Sequence, residues 1–360
     1  LYSSTPSDFD YREHVAAMYI SLAKQFGQHW NVKVGLRGEY TYSIGDWLSA
    51  DSVSRKSYFD VFPTVYMGYT SSPLGKLQQT IAVSASYVRR IKRPNYYLLN
   101  PFRTYIDAHS YSVGNTELTP EFNNDVELNF SYSRYLSLTF NFSHTQDMFS
   151  QHIEILDNGD GRSMWTNFGT CTTHGFNLSL TELPLVPKFD SQHKVNGAWL
   201  ALTVNAGYYN FLNKSYKKDE NGNPEYKQQN NYFRCNGMLN AYLPKDWSIS
   251  VDAFYSAPIT IGYNRQNAIY SMGLGIRKSI SSKGLVLNLQ VQDLLRSSHY
   301  EERSQGLPEG QFTSVENTVR QQRLTFSLTY MFGQQEWHKQ RKVGDSEFND
   351  RLGSGNSLGQ

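Results

Sequence analysis

Only two cysteines occur in 360 residues. Cys235 shares the strand phase of Phe233 and Leu239, whereas Cys171 falls on the opposite phase from Phe176 and Leu178. Opposite faces argue against a disulfide between them, and a metal site needs more ligands than two thiols. Long apolar runs are missing too. None approaches the roughly 18 residues of a membrane-spanning helix, which excludes a helical membrane protein and leaves a barrel of alternating strands open. Charge is scarce at 18 % of residues, with a formal net charge of +2, so nothing points to nucleic acid or an acidic partner. Leu1 opens the chain without Met, a charged leader or an apolar leader, so any export signal is expected to be absent or removed.

What is abundant is aromatic and flexible: aromatics are 14 % of residues, with 26 Tyr and 26 Gly. Such a composition suits many strands with aromatic girdles better than a helical domain. A mean hydropathy of −0.56 fits a barrel whose lumen and loops are polar.

Period-2 alternation is the dominant signal and recurs from end to end. NVKVGLRGEY sets Val32, Val34 and Leu36 against Lys33, Gly35 and Arg37; SLTFNFSH sets Leu138, Phe140 and Phe142 against Thr139, Asn141 and Ser143. The pattern predicts about thirteen strands, near 11–26, 31–43, 57–71, 77–91, 123–134, 136–155, 162–182, 197–215, 228–243, 247–262, 268–281, 284–295 and 316–332. Connections alternate between short ones, such as Gly27–Trp30 and Pro244–Asp246, and long ones, at 44–56, 92–122, 216–227 and 296–315. Short turns on one side and long loops on the other mark an outer-membrane barrel. Two connections break the scheme: 183–196 is too long and 156–161 too short. A propeller would repeat a blade signature about every forty residues, and no such period is present.

The fold expected is therefore all-β, a transmembrane antiparallel up-and-down barrel over 1–332, with a polar, disordered tail over 333–360. With short turns in the periplasm, the first and last strands both descend, which puts the C-terminus in the periplasm. Single-chain barrels have an even strand number, so at least one strand is expected before Leu1. The chain then reads as the C-terminal part of a larger barrel of about 22 strands.

The stretch Arg89–Glu121 is the longest connection and holds Pro94, Pro101 and Pro120, which keep it out of a sheet interior. Within it, Tyr96, Tyr97, Arg103, Tyr105 and Tyr111 are the ligand-binding candidates, because aromatic platforms beside Arg forks suit sugars, chelates or peptides. Arg89, Arg90 and Arg93 read as structural, with Arg93 tying loop carbonyls together. His144 shares the phase of Phe140 and Phe142 while Ser143 points the other way, so the pair does not make a lipase-like nucleophile and base. DNGDG (157–161) and DENGNP (219–224) have too few oxygen ligands for calcium and read as tight turns. No catalytic residue, metal site or cofactor is expected.

RRIKRPNYYLLNPF followed by YSVGNTELTPE resembles the TonB-dependent receptor barrel segment of Bacteroidetes outer-membrane β-barrel proteins. The residues that carry the resemblance are Arg90, Arg93, Pro94, Leu99, Asn100, Pro101, Phe102, Gly114, Asn115, Leu118, Pro120 and Glu121. Thr116 and Thr119 depart from the pattern and alter only turn stiffness. Asp293–Leu295 and the closing YMFG also resemble the family's last two strands. The resemblance implies a non-enzymatic outer-membrane receptor for active uptake of a nutrient: siderophore, glycan, vitamin or peptide. Its partners would be outer-membrane lipid, an N-terminal plug of the same chain and the TonB complex. The alternative is a barrel with a passive pore, secretion or scaffold role and no TonB coupling, and a third possibility is a soluble β-rich binding protein.

Overall fold

Strands that alternate β-branched or aromatic residues with Ser, Thr, Asn and Gly have one apolar and one polar face. In the computed structural model, which describes residues 9–47, 52–75, 79–156, 159–189, 195–261, 264–280, 284–304, 314–317 and 322–331, that alternation builds one long wall. Strands β1 (Phe9–Phe26), β2 (Trp30–Trp47), β3 (Ser52–Thr70) and β4 (Ile81–Lys92) pair consecutively and antiparallel. A one-turn helix α1 (Tyr96–Leu99) and two short strands, β5 (Arg103–Tyr105) and β6 (Ser110–Val113), follow. The wall resumes with β7 (Glu121–Tyr132), β8 (Leu136–Ile155), β9 (Gly161–Phe189), β10 (Val195–Ser215), β11 (Lys227–Leu243) and β12 (Trp247–Ser256). Short β13 (Ile259–Ile261) and β14 (Asn264–Gln266) precede β15 (Ile269–Ile280) and β16 (Leu285–Gln292). Then β17 (Tyr300–Ser304) and β18 (Ser314–Asn317) precede β19 (Arg323–Tyr330).

Thirteen strands lie along the wall in the order β1-β2-β3-β4-β7-β8-β9-β10-β11-β12-β15-β16-β19. Among the described residues β1 pairs only with β2 and β19 only with β16, so these two are its edges. Register sorts the faces cleanly. Leu138 opposes Leu178 and Phe140 opposes Phe176, with ring centroids 5.0 Å apart, on the apolar face. On the polar face Asn129 Nδ2 donates to Ser137 Oγ at 2.8 Å and Thr139 Oγ1 at 2.7 Å. Further along that face Tyr209 lies flat over Gly175 and Gly207 and donates to Asn177 Oδ1 at 2.6 Å. Polar side chains thus satisfy one another within the wall.

Several boundaries depart from the sequence expectation; the long connection expected at 44–56 is cut short, because β2 runs on to Trp47 and β3 begins at Ser52. The excess length at 183–196 disappears, because β9 continues through Pro184 and Pro187 to Phe189 and β10 begins at Val195. Those prolines have no N–H to give the ladder, and the pairing answers with register shifts between Val195 and Val204 instead of ending. Connection 156–161 is short because the extra length lies in the strands: β8 has 20 residues and β9 has 29. Strand 247–262 stops at Ser256, two residues before Pro258, and Ile259–Ile261 joins a separate sheet β13-β14-β17-β18. Strand 284–295 stops at Gln292, because Asp293 takes φ 48° and accepts the N–H of Ser297 at 2.9 Å. The last strand spans Arg323–Tyr330, and Ser314–Asn317 belongs to the separate sheet. The tail 333–360 lies outside the described residues.

Candidate ligand-binding surface at the long-loop end

The 93–120 segment is not an open loop but a plate bolted to the wall. At its start Arg93 leaves β4, buries its guanidinium and donates to Glu39 Oε2 at 2.6 Å and Thr41 Oγ1 at 3.0 Å. Glu39 also receives Arg37 Nε at 2.6 Å, so one buried carboxylate on β2 is shared by two cations. Burial, the largest single influence, would lower the proton affinity of Arg93, but the interactions with Glu39 and Tyr58 together outweigh it and hold the guanidinium firmly charged. Arg93 therefore ties the loop to side chains of β2.

Local chemistry shapes the rest. Asn95 caps α1 by accepting the N–H of Tyr97 at 3.1 Å. Gly114 donates to Asn100 O at 2.9 Å so closely that a Cβ there would stand 2.1 Å from that oxygen. Asn115 accepts the N–H of Glu117 at 2.9 Å and donates to Trp165 O at 3.0 Å. Leu99, Leu118 and Phe149 form a buried cluster against which Tyr96, Leu98 and Trp165 pack. Glu121 takes Lys92 Nζ at 3.1 Å and the N–H of Phe149 at 2.9 Å. Lys56 reaches from β3 to the carbonyls of Thr116 and Leu118 at 2.5 and 3.1 Å. Pro94 and Pro120 are buried and Pro101 half-buried. The motif residues thus hold the plate in place. Of the other two arginines, Arg90 pairs with Asp125 at 2.9 Å and Arg89 reaches Val61 O at 3.2 Å.

Hairpin β5–β6 extends the plate, because β6 adds in parallel to the outer end of β9, Ser110 opposite Gly161 and Val113 opposite Met164. Its tip is closed by Asp107, which takes the Ser110 hydroxyl at 2.6 Å and the His109 N–H at 2.7 Å. Those bonds, the hydroxyl's first, hold its carboxylate below the usual range. Three of the five candidates converge here: Arg103 sits 4.7 Å above the Tyr111 ring, and Tyr105 is 5.8 Å from Tyr111. Tyr111 is 5 % exposed and taken up in packing, whereas Tyr105 is 51 % exposed. The other two are on α1: Tyr96 packs on Tyr11 at 5.4 Å, and Tyr97 is 64 % exposed.

Ser143 donates to Asp125 on the polar face at 2.7 Å, while the His144 ring meets Thr172 Oγ1 at 2.9 Å on the other. Gly159 turns at φ +84° and Leu156 donates to Asp160 O; Asp157 and Asn158 lie outside the described residues. In 219–224, Asp219 Oδ1 accepts the N–H of Asn221 and of Asn223 at 2.9 and 2.8 Å, a turn closed on itself. Among the described residues no group of three or more His, Cys, Asp or Glu could hold a metal ion. Glu39, Trp165 and Asn167 were invisible as site residues in the sequence. Each sits mid-strand with no flanking motif, and only the fold brings it to the plate.

An antiparallel wall with an apolar outer face, a polar inner face and a plate folded over one end defines a transmembrane β-barrel. The chain belongs to the outer membrane protein beta-barrel family, whose model matches residues 2–330. No curated protein sequence matches it. In fold it is similar to the siderophore receptor PirA of Pseudomonas aeruginosa, at 14 % identity and TM-score 0.51 over 82 % of this chain and 56 % of that one. It is also similar to the copper transporter OprC, at 13 % identity and TM-score 0.55 over 81 % of this chain and 43 % of the other. The ferric yersiniabactin uptake receptor FyuA of Yersinia pestis matches at 13 % identity and TM-score 0.53, over 89 % of this chain and 46 % of that one. The chain spans about half the length of these structures.

Proposed function

We propose that the chain is the C-terminal part of the barrel of a TonB-dependent outer-membrane receptor that imports a scarce nutrient and is not an enzyme. The observation that carries this reading is the plate: a long outer segment held to the inner wall by a buried ion pair, in a fold shared with receptors for metals and their chelators. Such a plate can present side chains to a ligand at the mouth while the wall behind it stays rigid. Among the described residues β1 and β19 each pair on one side only, and lipid cannot satisfy an unpaired strand edge. Further strands, to about 22, would close the wall. A plug from the same chain would then fill a bore that wide, and TonB would act on the plug. The C-terminus faces the periplasm in this arrangement, residues 1–332 form the barrel segment with its outer loops, and 333–360 form a solvated tail. Tyr97, Arg103 and Tyr105 are the ligand-facing candidates that remain exposed; Tyr96 and Tyr111 support them.

Sequencing the transcript upstream of Leu1 tests the reading. An export signal, a plug of about a hundred-odd residues and additional alternating strands are expected. A message that begins at this strand, or that supplies strands without a plug, would leave a pore, secretion or scaffold role instead.

A further inference from the structure

The neutral face of hairpin β5–β6 borders a cleft that none of the ligand candidates except Tyr97 lines. Arg103 pairs with Val113 and Tyr105 with Tyr111, whereas Thr104 pairs with Ser112. Alternation therefore puts Arg103, Tyr105 and Tyr111 on one face of the hairpin and the two hydroxyls on the other. The cleft lies between those hydroxyls and α1, and its aromatic surface comes from Tyr97, Phe102 and Trp165. It is shallow and open to solvent, with a cavity volume of only about 30 Å³, so a ligand would lie across it and not inside it.

Three polar groups at this cleft are unused by the protein. The Asn100 carboxamide oxygen accepts the N–H of Phe102 at 3.1 Å, but among the described residues its Nδ2 has no partner. The same is true of Thr104 Oγ1 and Ser112 Oγ. The hydroxyls project from directly opposed residues, so they stand about 5 Å apart. No lining residue is charged. A ferric chelate or other anion would want Arg or Lys in the lining, and Arg103 of the same hairpin is on its opposite face.

We infer that this cleft binds a neutral, polyhydroxylated ligand, an oligosaccharide, with one ring face on the aromatic surface and its hydroxyl edge on Asn100, Thr104 and Ser112. The inference rests on the receptor reading and names the substrate class for it. Aromatic rings match the apolar face of a pyranose, and unpaired hydroxyl and amide groups match its rim. The side chains give up only bound water on ligand entry, so little is lost on desolvation.

Calorimetric titration of the full-length protein with neutral gluco-, manno- and xylo-oligosaccharides tests it, with a ferric catecholate as the charged comparison. At least one oligosaccharide should bind. Thr104→Val combined with Ser112→Ala should weaken that binding about tenfold, as should Tyr97→Ala alone, which touches no buried contact. Retained heat-modifiable migration would show that the variants fold. If no oligosaccharide binds, or if binding ignores all three substitutions, the inference fails. Catecholate binding in place of sugar would overturn the sugar assignment and leave the receptor intact. Sugar binding by a barrel that proves to have no plug would keep the cleft and remove active uptake.

Discussion

Arg93 and Glu39, 54 residues apart in the chain, meet at 2.6 Å with side chains 2 % and 4 % exposed. Removing one partner of such a pair strands a buried charge, which costs roughly 3–5 kcal/mol. Here Arg37 still touches Glu39, so Arg93→Leu should fall toward the lower end of that range. Urea unfolding of the detergent-solubilised protein measures the loss, and Arg93→Leu with Glu39→Leu should recover part of it. A single variant as stable as the parent would mean that the pair does not hold the plate.

Asn167 holds the backbone N–H and C=O of a single residue, Thr119. Thr119 N–H donates to its Oδ1 at 2.9 Å and its Nδ2 donates to Thr119 O at 3.0 Å, with a further bond to Asp147 O at 2.7 Å. Asn167→Ala deletes all three, at about 1 kcal/mol each in net terms. The expected outcome is a plate that loosens before the wall does, seen as faster amide exchange around 116–120 with strands β8 to β10 unchanged. Uniform exchange across both would refute a local role.

Gly114 is fixed by space, since a Cβ would stand 2.1 Å from the Asn100 carbonyl oxygen. Gly114→Ala must push the two backbone segments apart and break the 2.9 Å bond between them. Trypsin should then cut at Arg103 several-fold faster than in the parent. Cutting at the parent rate would show that the turn relaxes without moving the hairpin.

The wall was legible in the sequence because a membrane enforces strict alternation, and every one of its thirteen strands carries that period somewhere along its length. Leu138 and Phe140 on one phase, with Thr139 and Asn141 on the other, are enough to assign both faces. Pieces of three to five residues, such as β5, β13 and β17, are too short to show a period, and their pairing depends on distant partners. The plate's fastenings were hidden for a related reason. Glu39 alternates like any lumen charge, and nothing in EYTYS marks the carboxylate that Arg93 will bury. Tyr111 looked like a ligand platform because composition cannot distinguish an exposed ring from one packed under Arg103.

Face alternation also decides what His144 can do. Its ring meets Thr172, whereas Ser143 donates to Asp125 through the other face, so the two cannot come within reach for proton transfer. His144→Ala should leave phospholipid hydrolysis by outer-membrane vesicles at the background of a strain lacking the protein. It should shift stability only by the lost hydrogen bond, about 1 kcal/mol. Hydrolysis that depends on the intact chain and vanishes with His144 would contradict the non-enzymatic reading.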